Sequence, residues 1–340
     1  MTQIPGNKTN SITHKKIVFY SIKPYDTIWF SPMCKDYGYE AIYLKTRLDV
    51  QTATLAKGAD AVCAFVNDDL SSEVISAFHD IGIKGILMRC AGYNNVDIKA
   101  CNNYNIPVMH VPGYSPEAVA EFAMGLYLCT NRRIHRAYNR TRDFNMNING
   151  LMGRDIYGKT AGIIGTGKIG KAMINICKGF GMKVIAYDAY PSSNTDVSYV
   201  SLDYLFKHSD LISLHCPLTK DTMYIIDEYA LAKMRDGVYI INTSRGKLIK
   251  TDALLEALLI PNKIGGVGLD VYEEEGDLYY EDRSNEIMED EKLARLTTFP
   301  NVIITSHQGY FTREAMQAIA IETLDNAYSL FNNLPLNNRV

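Results

Sequence analysis

Arg245, His307 and the run Glu273 to Glu275 are the side chains in this sequence best suited to handling a proton and an anion together. Hydride reduction of a 2-keto acid needs a cation for the carboxylate and a proton for the keto oxygen. It also needs a donor poised near neutral pH. Arg245 can grip the carboxylate through a planar two-pronged fork. His307 can deliver the proton, and a carboxylate beside it can stabilise the imidazolium. Taken one at a time, each has a plainer reading. The arginine can be an ion-pair partner, the histidine a structural group, and the glutamates a solvated charge run. What joins them is that all follow strand ends of one sheet, the sheet that carries a glycine-rich turn.

That turn lies in Thr160 to Asp188. The apolar run Ala161 to Ile164 reads as a buried strand. Gly165, Gly167 and Gly170 follow in G-x-G-x-x-G spacing, with Thr166, Lys168 and Ile169 between them. Lys168 to Phe180 reads as a helix, and Lys183 to Tyr187 as a second strand ending at Asp188. Gly165 permits the tight turn, Gly167 lets a pyrophosphate approach the backbone, and Gly170 lets helix pack on strand. The helix N-terminus offers free N–H groups and a positive dipole end. Asp188 stands where an acid would bind the adenosine ribose, which favours NAD over NADP. Its plainer reading is a solvated strand end.

Positioning these groups requires a parallel sheet, and the pattern along the chain supplies two. Strands are expected at Lys16 to Tyr20, Glu40 to Leu44, Asp60 to Phe65, Lys84 to Arg89 and Val108 to Val111. Helices are expected at Tyr25 to Tyr37, interrupted by Pro32, and at Ser71 to Ile81. After Asp188, strands are expected at Leu211 to Leu214, Gly237 to Ile241, Gly265 to Leu269 and Val302 to Thr305. They end in His215–Cys216–Pro217, Asn242–Thr243–Ser244–Arg245, Asp270 and His307. Strand and helix in alternation predict an α/β fold with parallel sheets. The loop Cys90 to Asp97 follows a strand, and its N–H groups suit a small carboxylate. A turn with an asparagine helix cap fits that stretch equally. Glu117 to Asn131 and Arg313 to Phe331 read as long helices. Glu273 to Lys292 reads as an exposed acidic excursion.

The bulk composition excludes several classes. The 340 residues suit two domains, and 47% hydrophobic with 21% charged residues is an ordinary soluble balance. A formal net charge of −3 argues against a general nucleic-acid binder. The basic stretch Arg132 to Thr141 could suggest a nucleic-acid patch, but the overall charge and the acids nearby favour a solvated or interdomain helix. No apolar run is long enough to cross a bilayer. Met1 to Lys16 is polar and lacks the apolar core of a secretory signal, so a short disordered arm is expected. The seven cysteines are scattered without a C-x-x-C pair. They read as thiols in a reducing cytoplasm, not as disulfides or metal ligands.

Eight stretches together resemble the D-isomer-specific 2-hydroxyacid dehydrogenase family. They are RCAGYNNVD (Arg89 to Asp97), VPGYSPEAVAE (Val111 to Glu121), NRRIHRAYNRTRD (Asn131 to Asp143) and YGKTAGIIGTGKIG (Tyr157 to Gly170). SLHCPLT (Ser213 to Thr219), NTSRGKLI (Asn242 to Ile249), LDVYEEE (Leu269 to Glu275) and SHQGYFT (Ser306 to Thr312) complete the set. RCAGYNNVD and the acidic excursion favour the lactate branch. The resemblance implies two Rossmann-like or flavodoxin-like domains with the active site in the cleft between them. One would be a discontinuous substrate domain, 1–112 with 309–340, and the other an NAD domain, 113–308. It implies reversible reduction of pyruvate to D-lactate by NADH. His307 would be the proton donor, Glu275 its partner acid, and Arg245 the carboxylate holder. Gly92, Tyr93 and Asn94 would form the second carboxylate clamp, and Tyr114 and Tyr310 would lie near the substrate methyl. Thr166, Lys168 and Ile169 would lie on the pyrophosphate turn, and Cys216 and Pro217 beside the adenosine. Asp270 would contact the nicotinamide side, and Thr243, Ser244 and Arg245 would also belong to the cofactor site. No metal, nucleic acid or membrane is implied. A cytoplasmic homodimer is expected, with a tetramer as the alternative. Two positions depart from the lactate branch, which usually has Ala at Gly113 and Phe at Tyr310. They leave bulkier 2-keto acids as a second reading; a third, a non-catalytic NAD-sensing corepressor of the same fold, would use the basic helix Arg132 to Arg142 to bind a partner.

Overall fold

The structure is a computed structural model and describes residues 15–193, 196–276 and 278–340. The expected N-terminal arm therefore lies almost wholly outside the described residues. The chain divides into two compact units, one of residues up to Ser115 together with Thr312–Val340, the other Pro116–Phe311.

Short apolar runs build the first unit, and those at 61–64, 86–88 and 108–109 are buried on both faces, as strands of a covered parallel sheet require. Its elements in order are β1 (Lys15–Phe19), α1 (Pro24–Tyr37), β2 (Tyr39–Tyr43), β3 (Ala61–Ala64), α2 (Ser72–Asp80), β4 (Ile86–Met88), α3 (Ile98–Asn103) and β5 (Val108–Met109). The sheet order is β2-β1-β3-β4-β5, and every ladder in it is parallel. The strand order reverses between β1 and β3, so their carboxyl ends form a switch point. α1 does not break at Pro32, contrary to the sequence expectation. Pro32 removes only the hydrogen bond to the Ile28 carbonyl, and both side chains lie on the exposed face, where water can take that carbonyl. The helix ends instead at Gly38, in the left-handed conformation at φ 74°.

The second unit opens with α4 (Pro116–Arg132) and α5 (Ile134–Arg142). Arg133 at φ 52° separates the two, and α5 buries no side chain. There follow β6 (Thr160–Ile164), α6 (Lys168–Gly179), β7 (Lys183–Tyr187), β8 (Ser198–Tyr199), α7 (Leu202–His208), β9 (Leu211–Leu214) and α8 (Glu228–Lys233). Next come β10 (Val238–Asn242), α9 (Thr251–Leu259), β11 (Ile264–Leu269), α10 (Glu291–Thr298) and β12 (Val302–Ile304). The sheet runs β12-β11-β10-β9-β6-β7-β8, all parallel. Its order reverses between β6 and β9. The turn after β6 and the His215–Cys216 turn after β9 therefore flank one crevice, where doubly wound sheets bind ligands. The last helix, α11 (Arg313–Phe331), belongs to the first unit. There Asn326 Nδ2 donates to the His110 carbonyl at 2.9 Å and Tyr37 Oη to Asp325 Oδ1 at 2.7 Å. Among the described residues no helix is long and apolar enough to cross a membrane, and no group of three or more His, Cys, Asp or Glu side chains is placed to hold a metal ion.

Candidate active site

The glycine turn gives each glycine its own reason. Gly165 sits at φ 91°, and a Cβ there would strike the backbone of His215 and Cys216. Gly170 lies so close to the Gly165 carbonyl that any Cβ would overlap it, so the first turn of α6 seats directly on the end of β6. Gly167 is the N-cap of α6, and a Cβ there would meet nothing within 4 Å. Open space over a helix N-terminus, with Lys168 and Ile169 opening that helix, fits a dinucleotide pyrophosphate. Asp188 completes the fit. Its Oδ2 accepts the Thr166 N–H at 2.6 Å and the Thr166 hydroxyl at 2.8 Å, and its Oδ1 accepts the Tyr190 N–H at 2.9 Å. Burial alone would raise its pKa, but these three donors outweigh burial and hold it below the usual carboxylate range. The carboxylate stays ionised and keeps a lone pair on Oδ1 for a ribose hydroxyl. Tyr199, absent from the sequence-derived site, steadies this arrangement, with its hydroxyl 2.9 Å from Thr166 Oγ1. Across the crevice Cys216 is buried, and burial pushes its thiol up to about 11, so it is no nucleophile.

The loop after β10 is folded by Asn242, a fully buried residue missing from the sequence-derived site. Its Nδ2 donates to the Arg245 carbonyl at 2.8 Å, and its Oδ1 accepts the Ser244 N–H at 3.0 Å. The only hint was a polar residue closing an otherwise apolar strand. The Ser244 hydroxyl donates to the Cys216 carbonyl at 2.7 Å, and Arg245 Nη1 to the Ser244 carbonyl at 2.7 Å. Thr243 is buried in the same loop. Gly246 then lies flat against the Tyr272–Glu273 backbone, where a Cβ would overlap the Tyr272 carbonyl. The arginine loop and the glutamate segment are thereby held together.

Asp270 builds the histidine turn. It is 1% exposed; its Oδ1 accepts the Thr305 hydroxyl at 2.6 Å and the Gln308 N–H at 2.9 Å, and its Oδ2 the Gly309 N–H at 2.7 Å. These bonds hold His307 at φ 54°, a strained value for this residue type. His307 Nδ1 lies 3.2 Å from Glu275 Oε1, while Glu275 Oε2 accepts the Tyr272 N–H at 3.1 Å. Nε2 is left as the ring nitrogen for a substrate. Tyr280, absent from the sequence-derived site, donates to the His307 carbonyl at 3.2 Å. The acidic excursion is thus not simply exposed. Tyr279 is buried, and Glu273 is tied to the Tyr224 hydroxyl at 2.5 Å and the Thr251 N–H at 2.9 Å. Of the three glutamates, Glu275 is the one beside the histidine.

In the first unit, Asn95 Nδ2 donates to the carbonyls of Phe65 and Asp68 at 3.1 and 2.7 Å, anchoring the loop after β4 to the switch point. The helix cap here is Asp97, which accepts the Ala100 N–H at 2.9 Å, not an asparagine. The Gly92, Tyr93 and Asn94 N–H groups make no hydrogen bond among the described residues, the state expected of an anion-binding backbone. His110 Nδ1 lies 2.8 Å from the Ala91 carbonyl, and the Tyr93 ring packs edge-on to His110 at 5.2 Å. Tyr114 is half-buried in this unit; Tyr310, in the other, stacks edge-on to Phe311 at 6.1 Å.

Comparison with known proteins agrees with this geometry. Residues 124–309 match the model of the D-isomer specific 2-hydroxyacid dehydrogenase NAD binding domain. The chain is 48% identical to the D-lactate dehydrogenase of Escherichia coli over 93% of its length and 96% of the relative's. Among solved structures it is similar to the pyruvate reductase of Chlamydomonas reinhardtii, with TM-score 0.91, 38% identity and coverage of 96% and 99% of the two chains. It is also similar to D-2-hydroxyisocaproate dehydrogenase, with TM-score 0.85, 34% identity and coverage of 96% and 99%. A glycine turn closed by Asp188, an arginine loop and a histidine–glutamate pair on one sheet edge, joined to this similarity along nearly the whole chain, make the protein an NAD-dependent oxidoreductase belonging to the D-isomer-specific 2-hydroxyacid dehydrogenase family.

Proposed function

We propose that the protein reversibly reduces pyruvate to D-lactate. The observation that carries the chemistry is the 3.2 Å pair between His307 Nδ1 and Glu275 Oε1, set beside the arginine loop. Arg245 holds the substrate carboxylate and orients the keto group. His307 delivers a proton from Nε2 to the keto oxygen as charge develops there. Glu275 holds the ring by Nδ1 and balances the imidazolium. NADH supplies the hydride to the keto carbon. In the first unit the N–H groups of Gly92, Tyr93 and Asn94 suit a small carboxylate, and by resemblance to the family Tyr114 and Tyr310 are the positions assigned to the substrate methyl. Thr243, Ser244 and Asp270 line the nicotinamide side, with Cys216 and Pro217 beside the adenosine. The substrate and the hand of the product follow from similarity to the E. coli enzyme.

Tyr310 motivates a second reading, preference for a larger 2-keto acid, and similarity to D-2-hydroxyisocaproate dehydrogenase favours it too. We place the protein in a reducing cytoplasm, because its seven cysteines are all free thiols. We also propose a homodimer: Phe144, Ile148, Met152 and Tyr157 are each at least 80% exposed in the segment after α5, more apolar surface than a monomer usually leaves in one stretch. The deciding experiment follows NADH absorbance with pyruvate and then tests the product with a chiral assay. Rapid oxidation to D-lactate supports the first reading. Turnover only with branched or aromatic keto acids moves the assignment to the second.

A further inference from the structure

In the first unit, three strand ends meet on one buried carboxylate. Asp68 is 1% exposed. Its Oδ1 accepts the Ser21 hydroxyl at 2.5 Å, in the segment after β1, and the Leu48 N–H at 2.9 Å, in the segment after β2. Its Oδ2 accepts the Phe65 N–H at 2.7 Å, directly after β3. A fourth strand end joins through Arg89, directly after β4 and itself buried, whose Nη2 donates to the Ser21 carbonyl at 3.0 Å. A buried charge is tolerated only with such a set of donors. Both oxygens face backbone N–H groups, so an amide in place of the carboxylate would set its own NH2 against one of them whichever way it turned.

Two steps connect this carboxylate to the loop after β4. The Asp68 N–H donates back to the Phe65 carbonyl at 3.2 Å, so the backbone and side chain of Asp68 together close the turn 65–68. The closed turn presents the carbonyls of Phe65 and Asp68 side by side, and Asn95 Nδ2 donates to both, at 3.1 and 2.7 Å. Asn95 directly follows Asn94. The other end of the loop is held separately, by the Val111 N–H on the Cys90 carbonyl at 3.1 Å and by His110 Nδ1, 2.8 Å from the Ala91 carbonyl. Gly92, Tyr93 and Asn94 thus span two anchors, and Asp68 shapes one of them.

We propose that Asp68 is a positioning residue for the substrate carboxylate: by shaping the turn that grips Asn95, it sets the N–H groups of Gly92, Tyr93 and Asn94 in place to receive that anion. This rests on the proposed reaction, with those three groups binding the 2-keto acid. The Asp68 network belongs to the first unit, whereas the glycine turn and the His307–Glu275 pair belong to the second. Loss of Asp68 should therefore weaken substrate binding and spare both NADH binding and proton delivery.

The test compares Asp68→Asn, Asn95→Ala and the double variant in the full chain. Asp68→Asn should raise KM for pyruvate about tenfold, with kcat within about threefold and the Kd for NADH within about twofold of the wild type. Hydrogen exchange of the amides 90–95 should quicken in it, while that of 163–170 stays unchanged. Because Asp68 acts through Asn95, the double variant should raise KM no further than Asn95→Ala alone. Should Asp68→Asn fail to fold, Ser21→Ala removes one donor and leaves both N–H bonds; it should raise KM about threefold. An unchanged KM, a KM effect that multiplies in the double variant, unchanged exchange at 90–95, or an equal loss of NADH affinity overturns the assignment. If the wild type oxidises no NADH with pyruvate, the proposed reaction fails on its own, and the exchange measurement still decides whether Asp68 holds the loop.

Discussion

At the scale of single residues, three glutamates stand in a row and their hydrogen bonds sort them. Glu275 faces His307, whereas Glu273 spends its carboxylate on Tyr224 and Thr251. The Tyr224 and Thr251 donors outweigh burial and keep the Glu273 pKa low, so it is an ionised strut. Glu275→Gln is therefore expected to lower kcat at least about tenfold, since it removes the charge that balances the imidazolium. Glu273→Gln should leave kcat within about twofold and reduce stability by about 1 kcal/mol, the cost of weakened, partly buried hydrogen bonds. Steady-state kinetics and urea melts of the two variants check this, and a reversed pattern would exchange the roles. For Arg245→Lys, a KM for pyruvate raised about tenfold or more is expected, because an ammonium cannot make the two parallel bonds of a guanidinium. An unchanged KM would remove Arg245 as the carboxylate holder.

At the scale of elements, the strand ends were the legible part. Apolar runs closed by polar residues located the loops bearing Asp188, Arg245, Asp270 and His307, because a parallel sheet puts all its carboxyl ends on one edge. Partners reached across the fold were not legible. Nothing local marks Tyr199 as a prop for Thr166 or Tyr280 as a clasp on the His307 carbonyl, since each bond joins segments far apart in sequence. Pro32 misled because its effect depends on whether the freed carbonyl meets water, which periodicity does not reveal. The glycine turn makes the element-scale prediction. Gly170→Ala drives a methyl group into the Gly165 carbonyl and should cost about 2–3 kcal/mol, the scale of overpacking. Gly167→Ala meets open space, so its stability should fall by less than about 1 kcal/mol. Its KM for NADH should nonetheless rise roughly tenfold, because the methyl group occupies the space that fits the pyrophosphate. Thermal melts beside NADH titrations separate the two; equal loss of stability in both would show that Gly167 serves packing alone.

At the scale of the whole molecule, the same crevice makes stability depend on pH. His215 is partly exposed where β9 meets the glycine turn, but both its ring nitrogens face inward, with Nε2 2.8 Å from the buried Ser213 hydroxyl and Nδ1 buried without a hydrogen-bond partner among the described residues. Burial lowers its pKa to about 4, against about 6.5 for a free histidine. Between those values the unfolded chain binds a proton that the folded one refuses, so folding stability rises with pH across this window. The contribution is present in full above about pH 6.5 and fades as pH falls toward 4, by on the order of 3 kcal/mol. Acid should therefore weaken the second unit before its carboxylates protonate in bulk. His215→Gln keeps a hydrogen-bonding side chain and removes the titration. Urea unfolding at pH 7 and pH 4.5 should show a smaller acid loss in the variant than in the wild type, even if the variant is the less stable at pH 7. Equal losses in both would mean that His215 accepts its proton inside the fold and that the crevice is open to water.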